Sequence, residues 1–278
     1  LEGRSWRKDH YKPYKANRSE ARAAQNETEQ EEEKLFWETF DDFSTYIREK
    51  TNCSVLRDAD AEADDLIARW IALHPTDEHV IISSDSDFYQ LITKNVTQFN
   101  GITDNLITLE GIYDAKGKQV IDKKTKEPKL LGDPEWLLFE KCMRGDSSDN
   151  VFSAYPGVRK KGTKNKVGLL EAFEDRKSKG YAWNNMMLQR WSDHNGAEHR
   201  VLDDYNRNKE LIDLTAMPDE IKDRVDLEII NQVTNKDVGQ VGSKFLKFCG
   251  KYELTRLSDN AEQYGRWLNQ TYQGALKQ

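Results

Sequence analysis

The run His79-Val80-Ile81-Ile82-Ser83 most constrains what this chain can fold into. It is apolar and β-branched at its centre, and it stops at polar residues after too few positions for a stable helix. That pattern predicts a buried strand. A helical pattern precedes it over about residues 61–73, where Leu66, Ile67, Trp70 and Ile71 form a stripe and Asp60 stands where an N-cap belongs. A short helical stretch through Phe88 and Leu91 follows, then short strands and a hairpin over 96–130 with a turn at Ala115-Lys116-Gly117. Upstream, Cys53-Ser54-Val55-Leu56 reads as a short strand, and Phe36, Phe40, Phe43 and Ile47 give one apolar face to a helix over about 33–50. Helices and strands alternating in this order predict an α/β fold with a parallel sheet.

Downstream, Trp136, Leu137, Leu138 and Cys142 mark a helix ending at Gly145, where a glycine readily takes the left-handed turn that closes a helix. Beyond residue 150 strand signals thin out, and the pattern is mostly helical with loops near 175–182 and 193–198. The expected organisation is therefore an α/β core over 1–150 and a helical region over 151–278. No stretch approaches the roughly 18 apolar residues that a membrane span needs. Cys53, Cys142 and Cys249 are scattered and odd in number, so reduced packing thiols in a cytoplasmic protein are expected.

Net charge is −7, which taken alone argues against a nucleic-acid partner. The layout argues otherwise. Basic residues bunch at Arg4, Arg7, Lys8, Lys12, Lys15, Arg18 and Arg22, and again at Arg159, Lys160, Lys161, Lys164 and Lys166. Acidic residues bunch in three short motifs. Glu62-Ala63-Asp64-Asp65 opens a predicted helix. Asp85-Ser86-Asp87 leaves the predicted strand. Gly145-Asp146-Ser147-Ser148-Asp149-Asn150 follows a predicted helix. Each has an ordinary explanation: first-turn acids favoured by the helix dipole, an N-cap and its neighbour, a solvated turn. Together they could line one cleft. Hard cations such as Mg²⁺ take carboxylate oxygens, and ligand sites in parallel sheets lie beyond the carboxyl ends of strands.

The succession E-A-D-D, S-S-D-x-D-F and G-D-x-x-D-N, preceded by Tyr14-Lys15-Ala16-Asn17-Arg18, resembles the motif set of the flap endonuclease and 5′-3′ exonuclease family. The likeness is nearest to the phage 5′-nucleases, the T-even ribonuclease H type among them. It covers about residues 2–170 and continues more weakly through Leu211-Ile212-Asp213 and Met217 to Ile221. The resemblance implies a metal-dependent nuclease acting on 5′ ends and flaps of DNA and RNA, and removing RNA primers during replication. It implies two Mg²⁺ ions, with Mn²⁺ able to substitute. It casts Glu62, Asp64, Asp65, Asp85, Asp87, Asp146 and Asp149 as metal ligands, direct or through water, and Lys15 and Arg18 as the cations on the reacting phosphate. Residues 16–34, which carry no large apolar side chain, fall at the family's arch over single-stranded ends. Single-stranded-DNA-binding and other replication proteins are the implied partners.

The family's opening strand, which bears a further metal-site Asp, has no counterpart here, and Glu2 is the only acid near a second such position. The chain opens on Leu1 rather than Met. A missing upstream segment, and weak activity without it, are the expectation. The loop Pro156 to Lys166 has five cations and no acid, with Gly162-Thr163-Lys164 at the family's G-x-K position. It resembles the family's helix–three-turn–helix element, here near 151–175, which implies a grip on duplex backbone with Arg159, Lys160, Lys161, Gly162, Lys164 and Lys166 as its contacts. Trp6, Tyr11 and Tyr14 between cations suit either base stacking or a core. The rival readings are a non-catalytic nucleic-acid-binding relative, an incomplete fragment of the nuclease, and a different Mg²⁺ enzyme such as a phosphatase or nucleotidyl transferase. The last leaves the basic loop unexplained.

Overall fold

The computed structural model describes residues 4–155, 168–234 and 236–272. The chain packs as two compact units that interleave along the sequence. One comprises residues 20–75 and 218–278 with the first three residues; the other comprises 4–19 and 76–217. The expected boundary at 150 falls inside the second unit.

The first unit is helical. Helix α3 (Glu27–Lys50) starts earlier than the sequence pattern suggests, because Asn26 and Glu29 form a capping box. Its expected apolar face is buried only towards its end, where Tyr46 stacks on Phe248 of α10 (Val241–Lys251); Phe36 and Phe43 stay exposed. Helix α4 (Ala63–Leu73) is capped by Glu62 rather than Asp60. Asp60 is instead drawn into an ion pair with Arg224 on α9 (Asp219–Thr234). The expected strand at 53–56 does not form. Side chains of the α9 region satisfy that backbone instead: Gln232 accepts from the Val55 amide and Lys236 donates to the Cys53 carbonyl. Helices α11 (Thr255–Ser258) and α12 (Ala261–Leu268) complete this unit.

The second unit holds a four-stranded sheet in the order β1 (His79–Ile82), β2 (Val96–Asn100), β3 (Asn105–Ile107), β4 (Ile112–Asp114). The β1–β2 pair is parallel, as expected from the intervening 3₁₀ helix Ser86–Leu91; the other two pairs are antiparallel. The fold is thus α/β with a mixed sheet. The expectation that 79–83 is a buried strand fails. Strand β1 lies at the sheet's edge, and only Ile81 turns inward, while Val80 is 61% and Ile82 80% exposed.

Helix α5 (Pro134–Arg144) begins at an Asp133 cap and ends at Gly145, as read from sequence. Helices α6 (Leu169–Glu174), α7 (Tyr181–Met187) and α8 (Val201–Ile212) pack with it around Phe139, Met143, Trp183 and Met187. A short hairpin, β5 (Arg190–Ser192) with β6 (Glu198–Arg200), has no apolar alternation to announce it and escapes sequence reading. The unit opens with α1 (Trp6–His10) and the start of α2 (Ala16–Ala23). Trp6 and Tyr14 are core residues, 4% and 3% exposed, which decides against base stacking for both. Arg7 is buried too, donating to the Leu211 carbonyl and covering the Trp6 ring, so the first basic run is not one continuous phosphate patch. The three cysteines are free, and burial pushes the Cys142 thiol up to about 12, as befits a packing residue. Among the described residues no helix is long and apolar enough to cross a membrane.

Candidate functional site

The site grows from the loop that follows α5. Gly145, at φ 74, turns the chain, and the Asp146 and Val151 backbones exchange two hydrogen bonds of 2.8 and 2.7 Å across the loop. Asp146 is braced by the Ser148 amide and hydroxyl, at 2.9 and 2.6 Å. Asn150 takes a left-handed conformation, φ 57, which asparagine accommodates better than most residues. This closed loop presents Asp146 and Asp149 from a fixed frame.

Asp87 arrives from β1. Asp85 caps the 3₁₀ helix by accepting from the Asp87 amide, so its ordinary explanation as an N-cap holds as well. The fully buried Gln98 on β2 donates to the Ser83 and Asp85 carbonyls, both at 2.8 Å, and fixes the exit of β1. Oxygens of Asp87, Asp146 and Asp149 lie within 4.8 Å of one another, a group able to hold a metal ion. Asp85 stands beside this trio, near enough that its charge bears on Asp87.

Lys141, on the last turn of α5, pairs with both Asp87 and Asp146. Burial raises the Asp87 carboxyl above its ordinary value, and the Asp85 and Asp146 charges outweigh part of the relief that Lys141 brings. For Asp146 burial pulls the same way, but hydrogen bonds from Lys141 and Ser148 win and hold it below its ordinary value. Burial disfavours the Lys141 charge, yet the two carboxylates more than compensate and raise its affinity for the proton. Sequence reading missed Lys141. Its only signal is a lysine one turn before the acidic loop, which the helix dipole explains just as well.

Asp149 collects a second set of partners from the Tyr14–Arg18 segment. The Tyr14 hydroxyl donates to it at 3.1 Å, Arg18 at 2.7 Å, and the Lys15 ammonium stands 3.6 Å away. Lys15 has φ 53, a left-handed conformation costing about 1–2 kcal/mol for a residue with a side chain. It is kept there by the bond from its amide to the Asp149 carbonyl, 2.8 Å. The Tyr14 ring beneath packs with Cys142, Val151, Leu211 and Ile212.

The other expected ligands lie in the first unit. Glu62 caps α4, Asp64 is half-buried, and the buried Asp65 accepts from the Glu62 amide at 3.0 Å. The structure therefore brings Asp87, Asp146 and Asp149 together, with Asp85, Lys15 and Arg18 beside them, and describes Glu62, Asp64 and Asp65 separately. Arg159, Lys160, Lys161, Gly162, Lys164 and Lys166 lie outside the described residues. A groove of about 1090 Å³ starts at Asp87, Lys141 and Asp146 and runs past Arg144, Phe152 and Arg207 to the β5–β6 hairpin. The three acids offer the hard oxygen donors that suit a divalent cation, and the cation-bearing segment on Asp149 suits an anion held next to it.

The chain is similar to several known proteins. Residues 2–124 match the 5′-3′ exonuclease N-terminal resolvase-like domain. A 5′-3′ exonuclease of Mycoplasmopsis pulmonis (strain UAB CTIP) is 31% identical over 176 residues, which are 62% of this chain and 50% of the relative. The chain spans about half the length of the curated 5′-3′ exonucleases it matches. A bacteriophage T5 protein co-crystallised with metal ions has the same fold, with a TM-score of 0.56 and 22% identity over 83% of this chain and 82% of that one. So does the bacteriophage T5 flap endonuclease in a pseudo-enzyme-product complex with DNA and metal ions, with a TM-score of 0.54 and 22% identity over 83% and 80%.

Proposed function

We propose that the chain belongs to the flap endonuclease and 5′-3′ exonuclease family, that it hydrolyses phosphodiester bonds at the 5′ ends and flaps of DNA and RNA, and that in replication it removes RNA primers. The observation that carries this reading is the convergence of Asp87, Asp146 and Asp149 within 4.8 Å, with Lys15 and Arg18 on Asp149. Two Mg²⁺ ions, or Mn²⁺ in their place, would be held by these acids with Asp85; Glu62, Asp64 and Asp65 are further ligands that the family resemblance implies. Bound there, they would supply an activated water and charge stabilisation at the leaving oxygen.

The chain's own residues account for the rest. Lys15 and Arg18 turn from Asp149 towards the scissile phosphate and offset the charge that builds on it. The frame closed by Asp146 and Val151 keeps the carboxylates from spreading as substrate enters. The cations of 159–166 hold duplex backbone beside the cleft, and residues 16–34 border the path of a single-stranded end. The setting is cytoplasmic, beside single-stranded-DNA-binding and other replication proteins.

The test is cleavage of a 5′-labelled flap by the parent and by Asp146→Asn and Asp85→Asn, with and without Mg²⁺. The expected result is Mg²⁺-dependent release of 5′-phosphorylated product. Loss of cleavage in both variants with the fold intact is also expected, since each removes one site charge at nearly constant size. Near-parental rates in both variants sink the reading.

A further inference from the structure

We propose that Asn150 is a positioning residue that docks the Tyr14–Arg18 segment onto the carboxylate loop and so sets where the Lys15 ammonium stands. Its consequence for catalysis rests on the nuclease reading above; the docking rests on geometry alone.

Three consecutive loop residues bind alternate residues of the segment. The Ser148 carbonyl accepts from the Asn17 side chain at 3.3 Å, the Asp149 carbonyl accepts from the Lys15 amide at 2.8 Å, and the Asn150 side-chain amide donates to the Pro13 carbonyl at 2.7 Å. The Pro13 carbonyl also accepts from the Ala16 amide, at 3.1 Å, where α2 begins. Asn150 therefore anchors the turn from which Lys15 projects. A left-handed residue such as Lys15 keeps its conformation only where its surroundings over-determine it. Of the three bonds, the Asn17 contact is long and exposed, and the Lys15 contact is backbone to backbone. The Asn150 contact is short, half-buried and made by a side chain, so it is the one that a substitution can remove cleanly.

Asn150 also has φ 57, and its residue type answers two demands at once: a backbone tolerant of that angle and a donor aimed at Pro13. Glycine separates them. Asn150→Gly keeps the permissive backbone and deletes only the donor. Asn150→Asp keeps the size but sets a carboxylate oxygen against the Pro13 carbonyl.

The experiment measures two quantities on the whole protein. One is hydrogen exchange over residues 11–18; the other is the single-turnover rate and affinity for a 5′-labelled flap with Mg²⁺. The parent, Asn150→Gly, Asn150→Asp, Lys15→Ala and the double variant Asn150→Gly with Lys15→Ala are compared. Both Asn150 variants are expected to speed exchange at Lys15 and Ala16 by about tenfold or more, the signature of a local opening made easier by one lost bond. Both are expected to slow single-turnover cleavage by about a hundredfold, the usual cost of displacing a reacting group by an ångström, with flap affinity changed only about threefold or less. In the Lys15→Ala background, Asn150→Gly is expected to add much less than it does alone, because the ammonium is gone and only Arg18 of the segment remains to be placed. Parental exchange in Asn150→Gly overturns the docking. An equal slowing by Asn150→Gly with and without Lys15 overturns its action through Lys15. If the parent itself leaves the flap uncut, the reading of residues 1–278 as a nuclease by themselves fails, while the exchange comparison still decides the docking.

Discussion

Replacing Gly145 by alanine asks whether the carboxylate loop is held by shape as well as by charge. Gly145 has φ 74 and ψ −177, a region open essentially to glycine alone. An added methyl would lie 2.4 Å from the Val151 carbonyl oxygen, 2.6 Å from the Phe152 carbonyl carbon and 2.7 Å from the Ser153 nitrogen. All three are backbone atoms, so no side-chain rotation relieves the overlap. Backbone strain of about 1–3 kcal/mol and overpacking of about 1–3 kcal/mol together give about 2–6 kcal/mol. That is a large share of the roughly 5–15 kcal/mol by which domains are stable. Gly117 supplies the control. Its φ is 73, but an added methyl there meets nothing within 4 Å, so Gly117→Ala carries the conformational cost alone. Urea unfolding of both variants compares a positive-φ glycine with overlap against one without. Gly145→Ala should unfold at clearly lower urea than Gly117→Ala, or else relieve the clash by displacing residues 146–151 and lose cleavage by about a hundredfold or more. A Gly145→Ala protein that matches Gly117→Ala in urea and the parent in cleavage refutes the claim that the loop is held by shape.

Lys141→Met should cost about 1–3 kcal/mol without divalent ions, because it leaves Asp87 and Asp146 partly buried and facing each other; Mg²⁺ should then raise its melting temperature more than the parent's, and equal shifts count against the competition. Asp58, 6% exposed, is held below its ordinary value of 3.8 chiefly by its hydrogen bonds from Arg224. A depressed carboxylate stabilises above its unfolded value and loses that contribution as pH falls through the folded one. Arg224→Ala should therefore cost about 1 kcal/mol at pH 7, Arg224 being half exposed, with the gap to the parent closing below pH 4; a gap that is constant from pH 7 to pH 3 in thermal unfolding refutes it. Replacing Lys160, Lys161 and Lys164 by alanine should flatten the salt dependence of duplex binding by a log–log slope of about 0.9 per lost phosphate contact, with single-turnover chemistry nearly unchanged. Parental affinity at every salt concentration shows that loop to be solvated surface.

Local spacing carried much of the site into view before any coordinates. Asp146, Asp149 and Gly145 sit in one short loop, and Asp85 and Asp87 at one strand exit, so their geometry is set by residues next to them in the chain. Lys15 and Arg18 reach Asp149 across some 130 residues, and there the resemblance, not the spacing, did the work. What stayed hidden depends on tertiary neighbours. Lys141 differs from any helix-end lysine only in what faces it. Gln98 is a polar residue in a strand until the Ser83 and Asp85 carbonyls are seen above it. Trp6 and Tyr14 carry no mark that separates a stacking ring from a core ring. Residues 53–56 have strand composition, but α9 offers them side chains rather than a strand to pair with.

The charges at the site explain why one cation there differs from the others. Two carboxylates about 4.8 Å apart repel by about 3–4 kcal/mol at an effective dielectric of 20. Three of them in a half-buried site therefore need counter-charge even at rest. The chain supplies it in two ways. Asp149 is met by Lys15 and Arg18, from a segment whose backbone is bonded to the same loop, so this pairing is part of the fold. Asp87 and Asp146 are met by Lys141, one long side chain that bridges acids from two different elements. On the metal reading proposed above, a divalent cation taking those oxygens would compete with Lys141 at Asp87 and Asp146, and with Lys15 and Arg18 at Asp149.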